Sequence, residues 1–146
     1  MPQGEIQSVE ASCFVHATED EEKVMRLVGR LLGAEDGPAE EVLEGHFGNV
    51  IVHLTWHLTG EAAGSAFRRL LEAIGQEGRE AVLVDLSAHT DDHGALYLRL
   101  NKQALLRGAA VFTSSDPIRV RVKPRSFLMK GNPDQFYRRF LEARTR

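Results

Sequence analysis

The sequence predicts an α+β fold with a largely antiparallel sheet backed by helices. Two observations carry that expectation. Stretches of apolar–polar alternation are mixed with stretches of helical periodicity, in no regular βαβα rhythm. The composition is that of an ordinary globular protein, with 42% hydrophobic and 27% charged residues. At this length residues 1–146 are expected to form one domain, able to bury a core without staples. No apolar run has membrane-spanning length, so no membrane partner is expected. The N-terminal residues lack the basic flank and apolar stretch of a secretory signal, and the one cysteine, Cys13, cannot pair within the chain. Together these point to a reducing, cytoplasmic location.

Ile6 to His16 reads as a strand, with Ser8, Glu10 and Ser12 alternating against Val9, Ala11 and Cys13. Thr18 and Glu21 have the spacing of a capping box, and the acidic run Glu19 to Glu22 suits a helix N-terminus. Val24, Leu27, Val28, Leu31 and Leu32 then mark one buried helix face, which Gly33 ends. Glu40 to Glu44 is a short strand, and the turn cluster Gly45 to Asn49 joins it as a hairpin to the next one. There Val50, Val52, Leu54, Trp56 and Leu58 share a face, opposite Ile51, His53, Thr55, His57 and Thr59. A helix is expected from Glu61 to Gly75, with Ala63, Phe67, Leu70, Leu71 and Ile74 inward.

Arg79 to His89 fits either a strand by propensity or a short helix by spacing. After a turn at Thr90 to Gly94, Ala95 to Leu100 is a strand with Leu96, Leu98 and Leu100 inward and Tyr97 and Arg99 outward. Lys102 to Arg107 is one or two helical turns closed by Gly108, Ala109 to Thr113 a returning strand, and Ile118 to Lys123 a further strand after a turn. Asn132 and Pro133 open a last helix carrying Phe136, Tyr137, Phe140 and Leu141.

The net charge of −3 conceals a division. Residues 1–96 hold six basic and 18 acidic residues, a sum of −12, whereas residues 97–146 hold 12 basic and three acidic, a sum of +9. Such asymmetry points to an electrostatic task for the basic part, unless the two parts neutralise each other on folding. Within the basic part, Arg119, Arg121 and Lys123 share one face of a strand, spaced about 6.6 Å apart. Three like charges in a row repel one another, an anionic partner relieves that repulsion, and guanidinium groups suit phosphate. A solvated face is the alternative. A second cluster comprises Arg99, Lys102, Gln103 and Arg107, with Tyr97 beside Arg99 where it could stack on an unpaired base. The last helix adds Arg138, Arg139, Arg144 and Arg146.

Signals for an enzyme are weaker. His89, Asp91, Asp92 and His93 have metal-ligand chemistry but fall in a polar turn, and His53 and His57 sit about 13 Å apart along one strand, too far to share a metal. Cys13 reads as a core cysteine, and no phosphate-binding or nucleophile-elbow motif is present. No catalytic residue, metal or cofactor is therefore expected.

The run Phe14 to Val24 resembles the opening of an archaeal RNA-binding family described as a predicted exosome subunit. Gly45-His46-Phe47-Gly48-Asn49-Val50-Ile51 is similar to that family's Gly-x-x-Gly-Asn-Pro-Ile segment, with Val50 at the usual proline. Leu96 to Gly108 resembles its most distinctive run, with Asn101 at the usual aspartate, and Ile118 to Lys123 resembles the strand that follows. These matches lie in the family's order over about residues 6–125. The resemblance implies a fold similar to the ribosomal protein that holds 5S ribosomal RNA, a helix over Arg79 to His89, and a non-catalytic role. It also implies structured RNA, ribosomal RNA among the candidates, as partner, along with exosome or other RNA-processing proteins and a homodimer. The expected RNA-binding residues are Tyr97, Arg99, Lys102, Gln103, Arg107, Arg119, Arg121 and Lys123. A protein–protein adaptor is the alternative function, and a metal-dependent hydrolase a weaker third.

Overall fold

The apolar faces read from the alternation meet in one core between a sheet and a layer of helices. The computed structural model describes residues 5–45, 47–125 and 133–142. Among these, five strands form one sheet: β1 (Ile6–His16), β2 (Ala39–Glu44), β3 (Val50–Thr59), β4 (Leu96–Asn101) and β5 (Pro117–Pro124). Their order is β2-β3-β1-β5-β4, and every pairing is antiparallel. The helices are α1 (Glu21–Leu32), α2 (Gly60–Val84), α3 (Lys102–Leu106) and α4 (Pro133–Leu141). The α+β class and the helix-backed antiparallel sheet are as expected.

One sheet face carries Val9, Ala11, Cys13 and Val15 of β1, Leu54 and Trp56 of β3, and the inward leucines and valines of β4 and β5. The helices cover this face with Val24, Val28 and Leu32 of α1, Phe67, Leu70 and Ile74 of α2, and Phe136, Tyr137 and Leu141 of α4. Burial pushes the Cys13 thiol up to about 11, as befits a core cysteine. Tyr137 is fully buried, and its hydroxyl donates to the Gly94 and Val122 carbonyls, which pins α4 over the β4–β5 end of the sheet. A shift of register between Ile6 and Ser8 lets both Ile6 and Val9 turn inward at the start of β1.

The structure corrects the local reading at several points. The N-cap of α1 is Asp20, whose side chain accepts from the Lys23 N–H at 3.1 Å, so the helix starts two residues later than a cap at Thr18 implies. Glu19 lies in the preceding turn, because Lys102 and the His16 N–H hold its carboxylate. The strand alternative for Arg79 to His89 is overturned. α2 continues to Val84, and Leu86–His89 forms a 3-10 helix. α2 breaks at Gly75, with φ 66° and ψ −175°, and buried Arg79 donates to the Leu71 carbonyl at 2.9 Å, satisfying an acceptor near the break. Residues 109–113 do not form a strand. After the turn at Gly108 (φ 89°), they meet β4 at one bridge only, Leu100 to Phe112, where the Asn101 N–H donates to the Val111 carbonyl and the Thr113 N–H to the Arg99 carbonyl. The Asn132 cap lies outside the described residues, as do Arg144 and Arg146.

Two glycines separate backbone conformation from packing, since a Cβ at either Gly29 or Gly75 would meet no atom within 4 Å. Gly29→Ala, inside α1, is expected to stabilise the protein by about 0.5–1 kcal/mol. Gly75→Ala is expected to destabilise it by about 1–3 kcal/mol, because only glycine adopts that conformation without strain. Urea unfolding of the two variants checks both signs.

Candidate nucleic-acid interface

On the sheet face away from the helices, strand pairing sets the outward residues in rows across the strands. Tyr97 of β4 stands opposite Arg121 of β5, Arg121 opposite Glu10 of β1, and Glu10 opposite His57 of β3. In the next row Arg99 stands opposite Arg119, Arg119 opposite Ser12, and Ser12 opposite Thr55. Lys123, opposite Ser8, extends the basic side. Arg99 facing Arg119 is a like-charge pair at cross-strand spacing, an arrangement that destabilises a sheet unless an anion intervenes. Among the described residues, Arg99, Arg119, Arg121 and Lys123 make no ion pair.

The two rows enclose a pocket of about 420 Å³ lined by Glu10, Ser12, Tyr97, Arg99, Arg119 and Arg121. Its Tyr97 wall is fixed, because the hydroxyl donates to Asp91 Oδ2 at 2.8 Å. Asp91 Oδ1 accepts from the His93 and Ala95 N–H groups, each at 2.9 Å, which closes the turn leading into β4. Burial works against the Asp91 charge, but these donors outweigh it and hold the carboxyl below the usual aspartate value. The same bond, with burial, raises the Tyr97 phenol. Arg121 is half-buried, and its Nε has no hydrogen-bond partner.

Lys102 departs from the expected set. Its side chain is 3% exposed, and Nζ donates to Glu19 Oε1 at 2.9 Å, to Asp116 Oδ2 at 3.0 Å and to the Phe14 carbonyl. An ammonium has three protons, and these are three acceptors. Lys102 is therefore an internal cation, closed to a phosphate. Burial opposes its charge, yet the two carboxylates raise its pKa. Asn101 caps α3, its side-chain oxygen accepting from the Ala104 N–H at 2.9 Å. Gln103 is exposed and donates to Glu19 Oε2 at 3.1 Å, and Arg107 is exposed at the end of α3.

His16, Glu19 and Asp116 bring one ligand atom each within 4.8 Å of one another, but the Lys102 ammonium already sits between the two carboxylates. In the other cluster considered as metal ligands, Asp91 braces the turn and His89 Nδ1 pairs with the Tyr97 carbonyl, so these side chains serve the β4 entry. Sequence reasoning missed Glu10, Ser12 and Asp91 as neighbours of the basic row. Outward alternation marked Glu10 and Ser12, but nothing local shows that β1 lies beside β5.

A family model described as RNA binding matches residues 8–124. The RNA-binding protein PAB1135 of Pyrococcus abyssi is 33% identical over 124 residues, which cover 80% of this chain and 80% of that protein. The solved structure of Mth689 from Methanothermobacter thermautotrophicus matches with a TM-score of 0.71 and 26% identity, covering 94% of this chain and 98% of that one. SSO0741 from Sulfolobus solfataricus shares the fold, with a TM-score of 0.77, 22% identity, and coverage of 94% and 99%.

Lys102→Met is expected to cost about 3 kcal/mol in urea unfolding, since it leaves the largely buried Glu19 carboxylate and the Phe14 carbonyl without their cation. The lysine's contribution is present below its ordinary pKa, about 10.4, and is lost as pH rises through its raised folded value. Asp91 behaves oppositely. Its contribution is present above about pH 4 and is lost as pH falls through the depressed folded value. The stability gap between the protein and Asp91→Asn should therefore be flat near neutrality and close in acid, as denaturation across a pH series would show.

Proposed function

The chain belongs to this RNA-binding family, and we propose that it is a non-catalytic protein that holds structured RNA by its phosphate backbone across the β4–β5 face. The observation that carries this reading is the Arg99–Arg119 pair, two arginines directly opposite each other in the β4–β5 register with no ion pair among the described residues. Arg121 and Lys123 extend the row, and Arg107 adds a cation beyond the end of β4. Lys102 and Gln103 act in this reading as supports behind the face. Phosphate contacts set position and affinity, and a rigid row of cations suits the shape of a folded RNA.

The resemblance to an exosome-linked family, with a fold similar to the 5S-RNA-binding ribosomal protein, supports a place in ribosomal RNA handling or exosome-associated processing. One domain acting in the cytoplasm is consistent with that place. Among the described residues no helix is long and apolar enough to cross a membrane. A second reading, docking to a protein of an RNA-processing complex or to another copy, is favoured by the outer edge strand β2. There Val42 is 69% exposed beside Glu40, Glu41 and Glu44. Partner capture that survives nuclease treatment would favour that reading.

Binding of a structured RNA should weaken with salt at a log–log slope of about −3, from roughly four phosphate contacts. Arg119→Gln should reduce that slope by about 0.8 while raising folding stability by a few tenths of a kcal/mol, as the like-charge pair is relieved. A slope of zero, or an Arg119→Gln slope equal to that of the unmodified protein, would refute the backbone-binding reading.

A further inference from the structure

Glu10 is out of place on a face that binds phosphate. It is exposed, stands directly opposite Arg121, and makes no ion pair among the described residues. A carboxylate repels a phosphate, and when ionised it only accepts hydrogen bonds. On an RNA its natural counterpart is therefore the donor edge of a base.

We infer that the pocket between β4, β5 and β1 takes one unpaired guanine and that Glu10 selects it. The inference rests on the RNA-binding reading above and adds to it which base is read. Strands lie about 4.8 Å apart and alternate residues about 6.6 Å apart, so the two rows span the dimensions of one nucleotide. In the first row, the fixed Tyr97 ring and the Arg121 guanidinium are flat groups of the kind on which unpaired bases stack. Arg121 Nε, buried and without a partner, leaves a donor of that group unmet. A base above them directs its edge across the strands to Glu10, the next position in the row. In the second row, Arg99 and Arg119 take the adjoining phosphate.

The carboxylate chooses among bases by what flanks each donor. Guanine offers adjacent N1–H and N2–H donors, a match for the two oxygens of Glu10. Adenine and cytosine each place a ring acceptor beside their one amino group, and uracil flanks its N3–H with two carbonyls. Each of these sets an acceptor against a carboxylate, which costs a desolvated, unpaired contact.

The test uses RNA hairpins whose uridine loop carries a single guanosine, inosine or adenosine, titrated by fluorescence anisotropy. The guanosine loop should bind about tenfold tighter than the adenosine loop, with inosine, which lacks the N2 donor, between them. Glu10→Gln should erase this preference. Equal affinity for the three hairpins, or a guanosine preference that survives Glu10→Gln, overturns the inference and leaves RNA binding standing. Failure of all three to bind overturns the RNA-binding reading itself.

Discussion

Everything on the open face depends on a cation that never reaches it. Lys102 binds the Phe14 carbonyl near the end of β1, Glu19 in the turn before α1 and Asp116 just before β5, from its own place at the start of α3. Four segments from two distant parts of the chain, residues 14–19 and 102–116, thus converge on one ammonium. A buried charge is tolerated only when its donors are met, so the four segments must arrive together or the charge is stranded. Asp116 also has φ 47°, an uncommon conformation that aspartate accepts more readily than most residues. The strand that carries Arg119, Arg121 and Lys123 begins at the next residue. Its start is held by the clasp, and its register against β1 and β4 decides which side chains the arginines face.

The fold gives the divided charge a spatial meaning. Glu19 and Asp116 are taken up by Lys102, and Asp20 caps α1. The acidic residues of β2 lie at the opposite edge of the sheet from β4, with β3 and β1 between β2 and the basic β5. Mutual neutralisation of the two halves therefore fails where it would matter most. Leaving Arg99 against Arg119 costs the sheet a fraction of a kcal/mol, since two like charges oppose each other at cross-strand distance. A stability optimum would have placed a carboxylate opposite one of them.

Period-two alternation located β1, β3, β4 and β5 and the inward face of each, because a half-buried strand must alternate. Helical spacing did the same for α1 and the first half of α2. What the sequence could not disclose were contacts between residues far apart in the chain. Glu19 and Lys102 are separated by 83 residues, and only their meeting explains why the cap of α1 moves from Thr18 to Asp20. Lys102 itself looked like one more surface cation in a basic run, because burial of a lysine follows from partners supplied by other segments. Residues 109–113 have strand propensity but lie beyond the α3 turn, where tertiary position overrides it. The like-charge pair was hidden for the same reason, since Arg99 and Arg119 become neighbours only through the β4–β5 register.

The same register gives the open face a direction. Reading from β4 toward β3, outward side chains pass from Tyr97, Arg99 and the cations of β5 to Ser8, Glu10 and Ser12, then to Thr55 and His57. Cations hold a phosphate backbone irrespective of sequence, whereas hydroxyls, a carboxylate and imidazoles are groups that discriminate among base edges. An RNA laid on this face with its backbone along β4 and β5 would present its bases toward β1 and β3. Affinity and selectivity would then reside on different strands of one sheet, joined at the row where Arg121 stands beside Glu10. That separation would account for the basic residues being gathered into two strands rather than spread over the face. It also ties both functions to the alignment of β5 with β1, whose joining ends are held by Lys102.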